Sequence, residues 1–158
     1  MAINPNTDFT AGNILTADQQ NRFPRGVMAR AVSSTDYTLT TSSVIATGMT
    51  VTFTAVANRY YKITYYEPQA QTPSAIGSTV IELRQTNAAG TLLAQTTLTN
   101  ETAAVQQSSM EIFKTSTFSA GSITLVGCAK VSATTGAPIL VRNTSRDALL
   151  LVEDIGPA

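Results

Sequence analysis

The chain has 158 residues, of which 43% are hydrophobic and 13% are charged, and its 10 basic residues balance 10 acidic ones. This length is typical of one domain, and the zero net charge argues against nucleic acid and anionic membranes as partners. The chain has no histidine and a single cysteine, Cys128, so the commonest general base, the commonest zinc ligands and an internal disulfide are all missing.

The N-terminal segment differs in character from the rest of the chain. Residues 1–11 are polar, so they predict an extended arm that cannot bury enough surface to order itself. Thr16 can then cap a short helix, with Gln19 completing a capping box, before a proline and a glycine end it. We therefore expect 1–25 to anchor the protein and 26–158 to form the folded domain. Neither a membrane-spanning segment nor a cleaved secretory signal is expected.

Beyond this segment, apolar and polar residues alternate, most clearly over 49–56. The chain contains 26 threonines, and this β-branched residue suits a half-buried strand. We predict strands at 27–33, 37–40, 44–56, 59–66, 77–86, 91–99, 108–118, 121–132, 138–144 and 148–154. Turn residues separate them and no helical pattern lies between them, so we predict an all-β fold, an antiparallel β-sandwich of the jelly-roll type.

Three connections carry specific expectations. Residues 87–90 predict a four-residue hairpin loop, and residues 119–121 predict a second hairpin. The polar segment 100–107 is either a loop between sheets or a single helical turn.

Tyrosines cluster in the predicted strand 59–66. Alternation places Tyr61 and Tyr65 in the core, whereas Tyr60 and Tyr66 share the opposite face. We expect this second pair to cover neighbouring side chains or a subunit partner. The alternative is a ligand face on which the rings stack on sugars.

The last predicted strand, 148–154, carries apolar residues on both faces. Leu149 and Leu151 share one face, while Leu150 and Val152 share the other. We therefore expect a central strand that is covered on both sides.

This strand ends in an acidic pair, Glu153 and Asp154. As neighbours on a strand they point to opposite faces, so they cannot act together as acid and base. One of them enters a partly buried setting and needs a cationic partner. The candidates are Arg22, Arg25 and Arg30.

No residue pattern predicts catalysis. The other acidic residues are scattered, no loop offers the closely spaced oxygen ligands of a calcium site, and no Gly-x-Ser-x-Gly turn is present. Cys128 lies in an apolar run, where we expect a small buried side chain without a base. We expect no enzymatic activity, no cofactor and no metal.

Two segments resemble known proteins. Residues 9–21, FTAGNILTADQQN, resemble the Phe-x-x-Gly-x-x-Leu-Thr-Ala-x-x-x-Asn opening of small virion proteins of tailed bacteriophages, labelled minor tail, tail fibre or head decoration proteins. Residues 150–157, LLVEDIGP, resemble the ending of related proteins from phages of actinobacteria. The resemblance implies β-sandwich domains that assemble as trimers or other oligomers. The residues assigned to particle attachment are Phe9, Gly12, Leu15, Thr16, Asn21 and Phe23.

The leading expectation is a non-enzymatic structural protein of a phage virion, made in the bacterial host cytoplasm. Its expected partners are other virion proteins of the capsid or tail and further copies of itself, most simply in a trimer. The first alternative is a glycan- or receptor-binding module of the virion that acts through Tyr60 and Tyr66. A more remote alternative is a polysaccharide hydrolase.

Overall fold

The computed structural model describes Gln20 and residues 23–158 of the chain. The predicted all-β sandwich is confirmed over this range, whereas most of the predicted arm and helix lies outside the described residues. The strands are β1 (Gly26–Ser33), β2 (Tyr37–Thr38), β3 (Ile45–Ala55), β4 (Arg59–Gln71), β5 (Gly77–Gln85), β6 (Leu92–Asn100), β7 (Gln107–Ser116), β8 (Gly121–Val131), β9 (Ile139–Leu140) and β10 (Ala148–Pro157). No helix among the described residues is long and apolar enough to cross a membrane.

Two antiparallel sheets form the sandwich. The six-stranded sheet has the order β1-β10-β4-β9-β2, with β7 pairing with β4, and the four-stranded sheet has the order β3-β8-β5-β6. The pairings between the named strands are antiparallel. Neighbours in each sheet are therefore often distant in sequence, as in a jelly roll.

The core lies between the sheets and follows the predicted alternation. Tyr61, Ile63 and Tyr65 of β4 are fully buried, and the inward apolar residues of β3, which are Met49, Val51, Phe53 and Ala55, are buried as well. Phe118 packs against Phe53 of the four-stranded sheet and Tyr61 of the six-stranded sheet, each with a ring-centroid distance of 5.8 Å. These rings close one end of the core.

The hairpin predicted at 119–121 is wrong. The strands on either side lie in different sheets, because β7 pairs with β4 whereas β8 pairs with β3 and β5. Phe118 explains the crossing, since it inserts between the two sheets just before β8 begins. The hairpin predicted at 87–90 is present and joins β5 to β6, and residues 101–106 form the predicted loop between sheets.

The last strand, β10, lies between β1 and β4, as its apolar composition predicted. Its inner residues, Leu150 and Val152, are fully buried. Its outer residues, Leu149 and Leu151, are only half-buried. The expectation that both faces are covered is therefore wrong for the single chain, because no element of the described residues lies over the outer side of this sheet.

Candidate interaction surface

The side of the six-stranded sheet that faces away from the core is here called the outer face. Directly paired residues of antiparallel strands project to the same side of a sheet. The register therefore places three rows across β1, β10, β4 and β7: Val32, Leu149, Tyr66 and Glu111; Arg30, Leu151, Thr64 and Phe113; and Val27, Glu153, Lys62 and Thr115.

Apolar side chains dominate two adjoining rows of the outer face. Phe113 is 63% exposed and Val32 is 42% exposed, and between them lie the half-buried Leu149, Leu151 and Tyr66. Contiguous apolar surface of this kind is typical of protein contact sites. The third row is more polar, since the ammonium of Lys62 lies 3.2 Å from the Glu153 carboxylate, although Val27 at its edge is exposed.

The outer side of the four-stranded sheet has a different character. Exposed threonines, Thr50, Thr52 and Thr54, follow one another along β3. On β5, the Glu82 carboxylate is buried beneath Arg84, at 2.5 Å, and Lys130, at 2.8 Å. Burial alone would raise the pKa of Glu82, but the hydrogen bonds and charges of its two cationic partners outweigh this effect and lower it. This side is therefore polar and its central charges are paired.

Cys128 lies beside this charge cluster and is fully buried. Burial raises the pKa of its thiol to about 11, although the charge of Arg84 acts in the opposite direction. The thiol is therefore protonated at neutral pH, and a protonated, buried thiol is a poor nucleophile.

The two outer tyrosines of β4 lie in different surroundings. Tyr66 belongs to the apolar rows of the outer face, whereas Tyr60 lines an open cleft of about 600 Å³ with Phe118. Six residues of extended strand separate the two by about 20 Å. They therefore do not form one ligand platform. The cleft is completed by Ala57, Asn58, Thr117, Ser119 and Ala158.

The buried partner of Asp154 is Arg59. The Arg59 guanidinium donates to both carboxylate oxygens of Asp154, at 2.5 and 2.7 Å, and to the carbonyl of Phe23 at 2.6 Å. This pair ties the start of β4 to the end of β10 and to the segment before β1.

The assignment of Asp154 to Arg22, Arg25 or Arg30 is corrected by this pair. Arg25 and Arg30 are exposed, and Arg22 lies outside the described residues. Glu153 projects to the opposite side, where its partner is Lys62. The pairing within the sheet brings these residues together, although they are far apart in the sequence.

A second buried ion pair joins the two sheets. Arg142 donates to both oxygens of the Glu67 carboxylate, at 2.6 and 2.9 Å, and to the carbonyl of Thr47 at 3.0 Å. The Tyr65 hydroxyl donates to Glu67 at 2.6 Å. Burial, followed by the charge of Glu67, raises the pKa of Tyr65 well above its ordinary value. The tyrosine is therefore a neutral donor that helps to satisfy a buried carboxylate.

These carboxylates are structural in their setting. Glu67, Glu82 and Asp154 are buried, and each is held by arginine or lysine, so none is placed to exchange a proton with a substrate. In the described part of the chain, no cluster of cysteine, aspartate and glutamate has the geometry to hold a metal ion.

Five residues assigned to particle attachment, Phe9, Gly12, Leu15, Thr16 and Asn21, lie outside the described residues. Phe23 is described and is 40% exposed. Its carbonyl is held by Arg59, so the chain is fixed to the sandwich at this point.

Sequence reasoning did not identify the outer face as a site. The apolar residues on both sides of β10 were a usable signal, since a surface strand needs apolar residues on one side only. No such signal in the sequence indicated that Val32 and Phe113 belong to the same face. Their placement depends on the pairing of β1 with β10 and of β4 with β7.

Neither a protein-family model nor a curated protein sequence matches the chain. Among solved structures, it is similar to Eiger TNF from S. frugiperda, with a TM-score of 0.53 and 10% identity over 85% of this chain and 96% of that chain. It also aligns with latent PorU from Porphyromonas gingivalis, with a TM-score of 0.38 and 10% identity over 85% of this chain and 13% of that chain. A third alignment, with TmCBM61 in complex with β-1,4-galactotriose, has a TM-score of 0.34 and 8% identity over 85% of this chain and 91% of that chain. The likeness to the first structure shows the β-sandwich fold alone.

Proposed function

We propose that this chain is a non-enzymatic structural module of a tailed-phage virion, an oligomer that binds other virion proteins. The observation that carries the proposal is the outer face, because a sandwich with an apolar exterior on one sheet is suited to protein contact. The buried carboxylates of Asp154 and Glu67, each paired with an arginine, favour a structural role over catalysis.

The assignment to a phage particle has separate support in the two terminal resemblances. Residues 9–21 resemble the opening of small virion proteins and residues 150–157 resemble the ending of related ones, and neither segment contains a catalytic motif. The second of these segments is part of β10, whose outer residues contribute to the outer face. On this proposal, the residues before β1 attach the sandwich to the capsid or the tail.

Electron microscopy of particles that carry a labelled copy of the chain tests this proposal. We expect label at a defined position on the head or tail. Deletion of residues 2–22 retains Phe23 and its bond to Arg59, so we expect a folded sandwich that no longer joins particles. Particles without label, from cells that make the soluble labelled protein, would contradict the assignment.

A glycan-binding module is the second candidate, and the cleft beside Tyr60 favours it. Two aromatic rings, Tyr60 and Phe118, stand beside the polar side chains of Asn58 and Ser119. Aromatic rings can cover the apolar face of a sugar, while amide and hydroxyl groups bond to its hydroxyls.

A glycan array with purified protein distinguishes this candidate. Binding that disappears in Tyr60→Ala and persists in the matched Tyr66→Ala variant would support a glycan site at the cleft. Binding that is lost in both variants, or in neither, would contradict it. Turnover of a polysaccharide by the pure protein would instead favour the hydrolase alternative.

A further inference from the structure

The outer face exposes apolar side chains to solvent at the centre of the six-stranded sheet. Leu149 and Leu151 lie on a strand with neighbours on both sides, yet their side chains remain half-buried. Phe113 and Val32, near opposite edges of the face, are exposed. Covering these side chains removes contiguous apolar area from water, which favours association.

The two edges of the outer face carry opposite charges. Arg30 is exposed on β1, at one edge, and Glu111 is exposed on β7, at the other. Three strand spacings across the sheet and two residues along the strands separate their Cα atoms by about 16 Å, which is too far for an ion pair within one copy. Within the residues that the structure describes, neither side chain forms an ion pair.

We propose that the outer face is the contact surface between identical copies of this chain, which form a closed ring around an axis parallel to the strands. This inference rests on the oligomer in the proposed function and identifies its interface. The axis lies on the solvent side of the outer face, so rotation about it brings the β1 edge of one copy beside the β7 edge of the next. The leucines of β10 then meet leucines of other copies near the axis.

Charge complementarity identifies the occupant as a second copy. Rotation about an axis parallel to the strands does not shift a residue along that axis. Each row of one copy therefore lies level with the same row of the next, and Arg30 lies level with Phe113 of the next copy. Glu111 lies two residues along β7 from Phe113, a distance of about 7 Å, which an arginine side chain spans. The apolar centre is thus bordered by a cation on one edge and an anion on the other, an arrangement that is complementary to itself around a ring.

The opposite side of the sandwich does not offer an equivalent surface. Its β3 residues are exposed threonines, and Glu82 is already paired with Arg84 and Lys130. A copy that docked there would have to cover exposed threonine hydroxyls, which is less favourable than covering the apolar side chains of the outer face. The zero net charge of the chain also means that copies meet without overall repulsion.

A charge exchange at the two edges tests the interface. The full chain should sediment as a closed oligomer at micromolar concentration. Arg30→Glu alone and Glu111→Arg alone each place like charges across the contact, so each should weaken association about tenfold or more. The double variant, Arg30→Glu with Glu111→Arg, should recover most of the affinity. Because the two residues lie too far apart to pair within one copy, such recovery requires contact between copies.

Apolar and control variants complete the experiment. Leu151→Lys should yield monomers, whereas Thr54→Lys, on the outer side of the four-stranded sheet, should leave the mass unchanged. Circular dichroism checks that each variant is folded. If Leu151→Lys unfolds, the charge exchange still tests the interface. Arg30 and Glu111 are exposed, so their substitution does not disturb the core.

Three results would overturn the inference. The wild type could be monomeric, the oligomer could persist in every outer-face variant, or the double variant could associate no more tightly than the single variants. These results are separate from the proposed function. A monomer that still labels phage particles would remove only this interface. An oligomer that obeys the charge exchange but never joins particles would remove only the virion assignment.

Discussion

Gly127 of β8 packs against the ring of Tyr65. A Cβ atom at Gly127 would lie 2.7 Å from Cζ of Tyr65 and 3.0 Å from Cβ of Met49. The ring has little freedom to move, because its hydroxyl donates to Glu67 at 2.6 Å and lies 2.9 Å from the Thr47 hydroxyl. A glycine at this position therefore lets the buried network form beneath a tightly packed sheet.

Gly127→Ala should destabilise the protein. Overpacking of a core typically costs about 1–3 kcal/mol, and the fixed tyrosine places this substitution in that range. Urea unfolding followed by circular dichroism measures the change. Ser122→Ala, an exposed position on the same strand, serves as the control and should change stability by less than about 0.5 kcal/mol. Equal stability of the two variants would contradict the packing of Tyr65 against Gly127.

The end of β6 is organised by a single buried amide, that of Asn100. Its Nδ2 lies within hydrogen-bond distance of the carbonyls of Pro73 and Ala75, at 3.0 and 2.8 Å, and of Thr102 and Ala104, both at 3.1 Å. Its Oδ1 accepts from the Gly77 N–H at 3.0 Å. One side chain thus joins the loop before β5 to the loop that crosses between the sheets.

Asn100→Ala should leave several buried backbone groups unsatisfied and cost about 1–3 kcal/mol of unfolding free energy. Asn100→Asp should cost more at neutral pH, because a carboxylate would face the same carbonyls. Those carbonyls disfavour the ionised form and raise the carboxyl pKa in the folded state, so this variant should regain stability as the pH falls and the group is protonated. Thermal melts across pH measure both effects. An Asp variant that loses stability faster than wild type on acidification would contradict this account.

The two sheets are joined by polar contacts as well as by the apolar core. Glu67 of the six-stranded sheet pairs with Arg142, which also donates to the carbonyl of Thr47 on the four-stranded sheet. The backbone N–H of Arg142 donates in turn to Asp36 at 2.6 Å. The loops next to β2 and β9 are therefore fixed to both sheets at one point.

Removing one partner of this buried pair should lower the free energy of unfolding more than removing both. Arg142→Met leaves the Glu67 carboxylate buried without its cation and should cost about 3–5 kcal/mol. Arg142→Met combined with Glu67→Leu removes both charges, so we expect it to unfold at higher denaturant concentration than the single variant. A double-mutant cycle by urea unfolding measures the difference. Strictly additive losses would show that the two side chains are not coupled.

On the proposed interface, the outer face connects this fold to assembly. Leu151 is half-buried on the outer face rather than in the core. We therefore expect Leu151→Lys to weaken association between copies more than it lowers the stability of one copy. The same strand therefore contributes to folding through Leu150 and Val152 and, on the proposed interface, to assembly through its other side. Alternation alone assigns these residues to two faces, but it does not say what covers each one.

Alternation in the sequence was enough to predict where most strands lie and the direction of their side chains, although β4 continues to Gln71 and β9 is reduced to Ile139–Leu140. The alternation around Met49 and through Tyr61 to Tyr65 predicted the buried faces, because a strand repeats every two residues whatever it pairs with. The three-dimensional structure was needed to show that β7 and β8 lie in different sheets, that Asp154 pairs with Arg59, and that Phe113 shares a face with Leu151. These facts depend on the register between strands that are distant in the chain. That register is set by the joint packing of both sheets, and no local sequence pattern encodes it.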